Sequence, residues 1–148
     1  MNRTEVLVML NRQAQEAFGQ VPTDLRPSAF LAHLGVNDWD QWWAERVAEA
    51  RQSIQAYAWQ GEILPTGYPA PNEAVPGASY IILSLNGAVI FQYGDSPYAP
   101  ETPGMAPGAL TSENVEAAME AHAQALAEVL ATERLARSYL EWLAEQLL

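Results

Sequence analysis

Residues 79–94 read Ser-Tyr-Ile-Ile-Leu-Ser-Leu-Asn-Gly-Ala-Val-Ile-Phe-Gln-Tyr-Gly, and this stretch decides the fold. Two runs rich in β-branched, leucine and aromatic residues meet at Asn86-Gly87. Both turn residues tolerate positive φ, which a two-residue type I′ turn demands, so the stretch is expected to form a β-hairpin. A two-residue turn also sets the register. Leu85 then faces Ala88, Leu83 faces Ile90 and Ile81 faces Gln92 on one side of the ribbon. On the other side Ser84 faces Val89, Ile82 faces Phe91 and Tyr80 faces Tyr93.

Both sides are largely apolar, whereas a half-exposed ribbon alternates apolar with polar. Two strands alone are marginal in water and leave two unpaired edges. The ribbon therefore needs cover on both faces and a partner on at least one edge. Two arrangements satisfy this. One adds a short strand from the flanking loops, near Glu62-Ile63-Leu64. The other pairs the hairpins of two chains in a homodimer, the commonest kind of oligomer.

Helical patterns lie on either side of the hairpin. Thr4 is expected to cap a helix over about 4–18, with Val6, Met9, Leu10, Gln13, Ala14, Ala17 and Phe18 as its stripe and Gly19 as its stop. A short helix over 28–34 has Pro27 near its start and Gly35 at its end. Asn37 is expected to cap a third helix over 38–60, with Asp38 and Asp40 in the first turn, where the helix dipole favours negative charge. Its stripe is Trp39, Trp43, Val47, Ala50, Ile54 and Tyr57. Proline-rich loops over 61–78 and 95–110 follow and precede regular structure, and long loops in a compact domain are usually functional or partly disordered.

Ser112 is expected to cap the last helical region. Val115, Met119, His122, Leu126, Val129, Ala136, Leu140, Leu143 and Leu147 follow a seven-residue repeat. Glu133 interrupts it and Thr132 is a second cap, so the region is expected to break into helices over about 113–131 and 133–147. An unbroken helix would be about 50 Å long at the usual rise, too long for one small domain to cover, and would argue for a dimer. The expected fold class is thus α+β, mainly α, in a single domain over 1–148. Its central antiparallel hairpin packs between N-terminal helices and a long, kinked C-terminal helical region.

From Tyr80 to Leu126, the succession of hairpin, proline-rich loop and helix resembles the first half of roadblock-type dimerisation domains. The three later strands of that fold have no counterpart, because the chain ends in helix. No function is carried over from the resemblance.

The 148 residues are 49% hydrophobic, as in a globular protein. Net charge is −11, from eighteen carboxylates against seven basic residues, all arginine. That balance repels phosphate backbones and excludes ordinary nucleic-acid binding, since the arginines are scattered along the chain. The stretch Ala29–Trp43 superficially resembles a helix-turn-helix, but Asp38 and Asp40 would open its recognition helix against phosphates. The charge instead favours solubility and attraction to basic partners. There are no cysteines, which removes disulfides, thiolate metal sites and cysteine nucleophiles. No signal-peptide pattern and no apolar run long enough for a membrane span are visible, so a cytoplasmic location is expected.

No catalytic residue, metal ligand set or cofactor site is indicated. His33 and His122 are the only histidines. His122 falls on an apolar stripe as a core residue, and no His-x-x-x-His or Glu-x-x-His pair exists. Glu113, Glu116 and Glu120 share a side at spacings of three and four. With Glu45 and Glu49 opposite they are the only candidate magnesium carboxylates, and they read as a solvated acidic face. Phosphate loops and Gly-x-Ser-x-Gly elbows are absent.

The candidate ligand or partner surface is aromatic. Trp42 and Trp59 lie beside the third helix's stripe, and Trp42 should reach a loop, a partner or a ligand. With Asp38 and Asp40 at its mouth and Tyr93, Asp95 and Tyr98 from the hairpin and its loop, such a groove suits a cation or an amphipathic peptide. The leading expectation is a non-catalytic acidic protein-interaction module: an adaptor, an immunity-type inhibitor or a chaperone for a basic client, acting as a homodimer. Alternatives are a small-molecule binder or enzyme using the aromatic pocket, and a phage or assembly subunit.

Overall fold

Asn86 and Gly87 hold φ of 53° and 81°, so the hairpin turns on the two residues whose chemistry permits it. The computed structural model describes residues 1–60, 79–94 and 115–148, with side chains described outside 57–60, 79–80 and 89–94. The order is α1 (Arg3–Phe18), a 3₁₀ turn (Thr23–Leu25), α2 (Pro27–His33), α3 (Trp39–Ser53), β1 (Ile54–Gln60), β2 (Ser79–Leu85), β3 (Ala88–Gly94) and α4 (Val115–Leu147). The architecture is α+β and mainly helical, with the antiparallel hairpin and the long C-terminal helix that the sequence implies. Two compact units form: residues 1–48 with 129–148, and residues 49–128. α3 and α4 each contribute to both.

In the first unit, α1 is capped by Asn2, not Thr4. The Asn2 side chain accepts from the Glu5 backbone N–H at 2.8 Å and donates to the Glu5 carboxylate at 2.7 Å. That reciprocal pair satisfies an orphan donor of the first turn, which a cap two residues later cannot reach. Val6, Leu10 and Ala14 form its fully buried line. Met9 and Gln13 are half-buried and Ala17 and Phe18 exposed, so the buried stripe is narrower than the sequence pattern. Gly19, at φ 76°, closes the helix by donating to the Gln15 carbonyl at 2.9 Å.

α3 is capped by Asp38 rather than Asn37: its carboxylate accepts from Gln41 N–H at 3.3 Å, and Trp42 N–H reaches the Asp38 carbonyl at 3.0 Å. Trp39 and Trp43 stack at 5.2 Å, and the Trp39 indole donates to the Met1 carbonyl at 3.2 Å. A second aromatic cluster joins Phe30 to Tyr139 and Trp142 at 5.2 and 5.3 Å. Tyr139 is fully buried, and its hydroxyl donates to the Leu25 carbonyl at 2.9 Å. A buried tyrosine hydroxyl needs such a partner.

In the second unit the helix expected over 38–60 stops at Ser53, and Ile54–Gln60 is a strand. β1 pairs antiparallel with β2 from Ile54↔Leu85 to Gln60↔Ser79, and β2 pairs with β3. The third strand exists, but it comes from the end of the expected helix; residues 62–64 lie outside the described residues. Ile54 and Tyr57 fit a helical stripe, yet the segment's β-branched and aromatic content suits a strand equally. The edge of the hairpin supplies the partner that decides between them.

The register expected for the hairpin holds only at Leu85↔Ala88 and Ser84↔Val89. A bulge between Leu83 and Ser84 then shifts it, giving Leu83↔Phe91, Ile82↔Gln92, Ile81↔Tyr93 and Tyr80↔Gly94. The extra residue on β3 is Ile90. Consecutive Ile81, Ile82 and Leu83 are all at 0% exposure. Successive strand residues point to opposite faces, so both faces of β2 are covered.

α4 runs 33 residues without the break expected at Thr132-Glu133, about 50 Å at the usual rise. Glu133 is exposed, and a solvated glutamate is a good helix former that gives the helix no cause to break. Ala123, Ala127, Ala131, Leu135, Tyr139 and Leu143 are buried at spacings of four. Of the expected seven-residue seam, Val115, His122, Ala136 and Leu143 are buried and Met119, Leu126 and Leu140 half-buried, whereas Val129 is 53% and Leu147 41% exposed. Among the described residues no helix is long and apolar enough to cross a membrane. The loops over 61–78 and 95–110, and the caps and carboxylates at Ser112 and Glu113, lie outside the described residues.

Candidate functional site

The head of α3 places Asp38, Asp40 and Trp42 within one turn, in the first unit. Asp38 spends its carboxylate on the helix cap, and both aspartates are exposed. Trp42 is half-buried, tilted against Trp39 at 5.6 Å. The guanidinium of Arg46, one helical turn on, sits 5.2 Å from the Trp42 ring centroid. A half-buried cation–π contact of this kind contributes about 0.5–2 kcal/mol. Beside it Arg46 meets Glu45 at 3.5 Å, and Glu45 accepts from Gln41 at 3.4 Å. One ring face of Trp42 therefore already carries a cation from the same helix. The i, i+4 spacing of Trp42 and Arg46 is the signal that could have shown this from the sequence.

The remaining aromatic candidates belong to the second unit. Register sets Trp59 opposite Tyr80 and Tyr93 opposite Ile81. Tyr80 and Ile81 are consecutive, so the positions of Trp59 and Tyr93 fall on opposite faces of the sheet. The side chains of Trp59 and Tyr93, and the whole of Asp95 and Tyr98, lie outside the described residues.

Both histidines serve packing. His33 stacks on Trp142 at 5.6 Å. His122 is 3% exposed, and desolvation lowers its pKa from 6.5, keeping it neutral. Burial pushes the Tyr139 hydroxyl up to about 12. Of the candidate magnesium carboxylates, Glu120 is engaged by Arg51, at 2.7 Å from Nη2. No cluster of three or more His, Asp or Glu suited to a metal ion occurs among the described residues.

One concavity escaped the sequence reading. A groove of about 500 Å³ runs between α1 and the start of α2, lined by Leu7, Val8, Asn11, Gln15, Arg26 and Ser28 among others. Its polar and apolar residues recur at helical spacing along α1, on the side away from Val6, Leu10 and Ala14. The spacing alone reads as an ordinary solvated face, because only the fold brings Arg26 beside it.

On α4, Glu116, Glu120, Glu128, Glu133, Glu141 and Glu145 are all exposed, against Arg134 and Arg137. Half-exposed Val129 stands between Glu128 and Glu133. Comparison of the chain with known protein families, with curated proteins and with solved structures finds no match.

Proposed function

We propose that this chain is a non-catalytic protein-interaction module, homodimeric and cytoplasmic, that offers an acidic helical surface to a basic protein partner. The observation that carries the reading is exposed Val129 on α4, with exposed Glu128 beside it and exposed Glu133 one turn further on. Carboxylates flanking an apolar residue suit a basic amphipathic segment, whose cations meet the glutamates while its apolar face covers Val129. The charge that draws such a partner repels nucleic acid. Adaptor, inhibitor and chaperone of a basic client are the roles this surface fits. α4 is buried along one side from Val115 to Leu143 within a single chain, so the homodimer reading is supported instead by the sheet, whose edge strands a second copy can pair.

Co-purification at low and high ionic strength tests the reading. A partner held through these glutamates is released as salt shortens the Debye length from about 10 Å to about 3 Å. A complex indifferent to salt, and to Glu128→Gln with Glu133→Gln, contradicts it.

A second reading, binding of a small molecule, is supported by the groove of about 500 Å³ on α1, within the size range of ligand sites. Its mark would be amide shifts confined to Leu7, Val8, Asn11, Gln15 and Ser28 in a screen of small anions and amphiphiles. A screen that leaves those amides unmoved removes it.

A further inference from the structure

None of the residues in the three seven-residue strands is Asp, Glu, Arg, Lys or Pro, in a chain that is 17% charged and has ten prolines. Charges, prolines and bulges are the devices by which edge strands avoid pairing with other chains. The sheet order is β1-β2-β3, so β1 and β3 are its edges. Among the described residues no further strand pairs with either.

The two edges differ. The bulge opposite Leu83/Ser84 interrupts β3, and a bulge bends and twists its strand away from a flat neighbour. β1 carries neither bulge nor proline. Arg51 engages the carbonyl of its first residue, Ile54, at 2.9 Å. β1 pairs with β2 through seven consecutive positions without a shift, so from Ala56 onward alternate N–H and C=O groups along its outer side form a regular row.

We infer that the outer edge of β1 is where two copies of this chain join, antiparallel across a two-fold axis, in one continuous sheet ordered β3-β2-β1-β1-β2-β3. The inference rests on the homodimer reading above and names its surface. Two copies, each carrying −11, repel wherever their carboxylates approach; an uncharged strand is where they can meet at least electrostatic cost. An antiparallel pair of identical strands is also self-complementary, as a two-fold interface requires.

Residue-resolved amide exchange on the unmodified full chain, beside light scattering over a range of concentration, tests it. The expected result is a dimer in which alternate amides of residues 54–60 exchange roughly tenfold or more slowly than on dilution to monomer, while the outward amides of β3 do not respond. Because the chain lacks cysteine, single substitutions such as Gln55→Cys, Ala56→Cys and Tyr57→Cys should cross-link the dimer with a maximum at one position. A monomer at every concentration sinks this inference and the homodimer reading together. A dimer whose concentration-dependent amides lie in β3 or in α4, and not in β1, sinks this inference and leaves the homodimer standing.

Discussion

Arg51 and Glu120, 69 positions apart, meet through two hydrogen bonds, Nε to Oε2 at 3.4 Å and Nη2 to Oε1 at 2.7 Å. The remaining nitrogen, Nη1, donates to the Ile54 carbonyl at 2.9 Å. One guanidinium thus joins the last turn of α3, the first residue of β1 and the first half of α4.

The pair is partly solvated, with Arg51 at 26% and Glu120 at 59% side-chain exposure, so its ionic part is worth about 0.2–1 kcal/mol. The bond to Ile54 adds about 1 kcal/mol. Arg51→Ala should therefore lower stability by about 1–2 kcal/mol in urea unfolding, and Arg51→Lys should not restore it, lacking the fork. A double-mutant cycle with Glu120→Ala should give a coupling below about 1 kcal/mol. An Arg51→Ala protein as stable as the parent would contradict the assignment.

His122 predicts an acid weakness. Its folded pKa lies below 6.5 because burial disfavours the imidazolium. The unfolded chain thus binds its proton first as pH falls. Stability is full above 6.5 and declines as pH drops through 6.5 toward the folded value. Unfolding midpoints at pH 7.5 and about 5.5 should differ, and His122→Leu should reduce the difference. An unchanged pH slope in that variant rules out the contribution.

Tyr139 predicts the alkaline counterpart. With the hydroxyl pushed up to about 12 in the folded chain, the unfolded chain ionises first, near 10. Stability should fall as pH rises above 10 and level off beyond about 12. Tyr139→Phe removes this slope but leaves the Leu25 carbonyl without its donor, at a cost of about 1–2 kcal/mol at neutral pH. Tyrosinate absorbance appearing in one step at ordinary pH would show the hydroxyl to be solvated.

Gly87 carries φ of 81° with nothing within 4 Å of where a Cβ would stand. Gly87→Ala should then cost about 1–2 kcal/mol from backbone conformation alone, without a clash. Asn86→Gly, at φ 53°, should be close to neutral. Equal stability of Gly87→Ala and the parent would argue against a turn of this type.

The hairpin was legible because Asn86-Gly87 admits few conformations. Its register was legible only as far as Val89, since a bulge has no signature in a run of apolar residues. The segment after Ser53 reads as helix from the sequence because Ile54 and Tyr57 satisfy a period near 3.6 as well as strand propensity, and the partner that settles the matter lies some 25 positions on. The break at Thr132-Glu133 was read from an interrupted repeat, but α4 buries a line spaced by four to which Glu133 does not belong. At the candidate site, the aromatic content of α3 was plain, and the cation over Trp42 was foreseeable from spacing. Arg51 with Glu120, and Arg26 beside α1, depend on long-range folding and left no local trace.

α3 ends at Ser53 and β1 begins at Ile54, with no residue between them. Adding or deleting one residue at that junction would turn the helix by about 100° against the strand and exchange the strand's inner and outer side chains. There is no slack to absorb such a change. Descendants of this chain should therefore vary freely in residue type there while keeping its length fixed, and engineered insertions should be tolerated almost anywhere on the molecule's exterior before they are tolerated between these two residues.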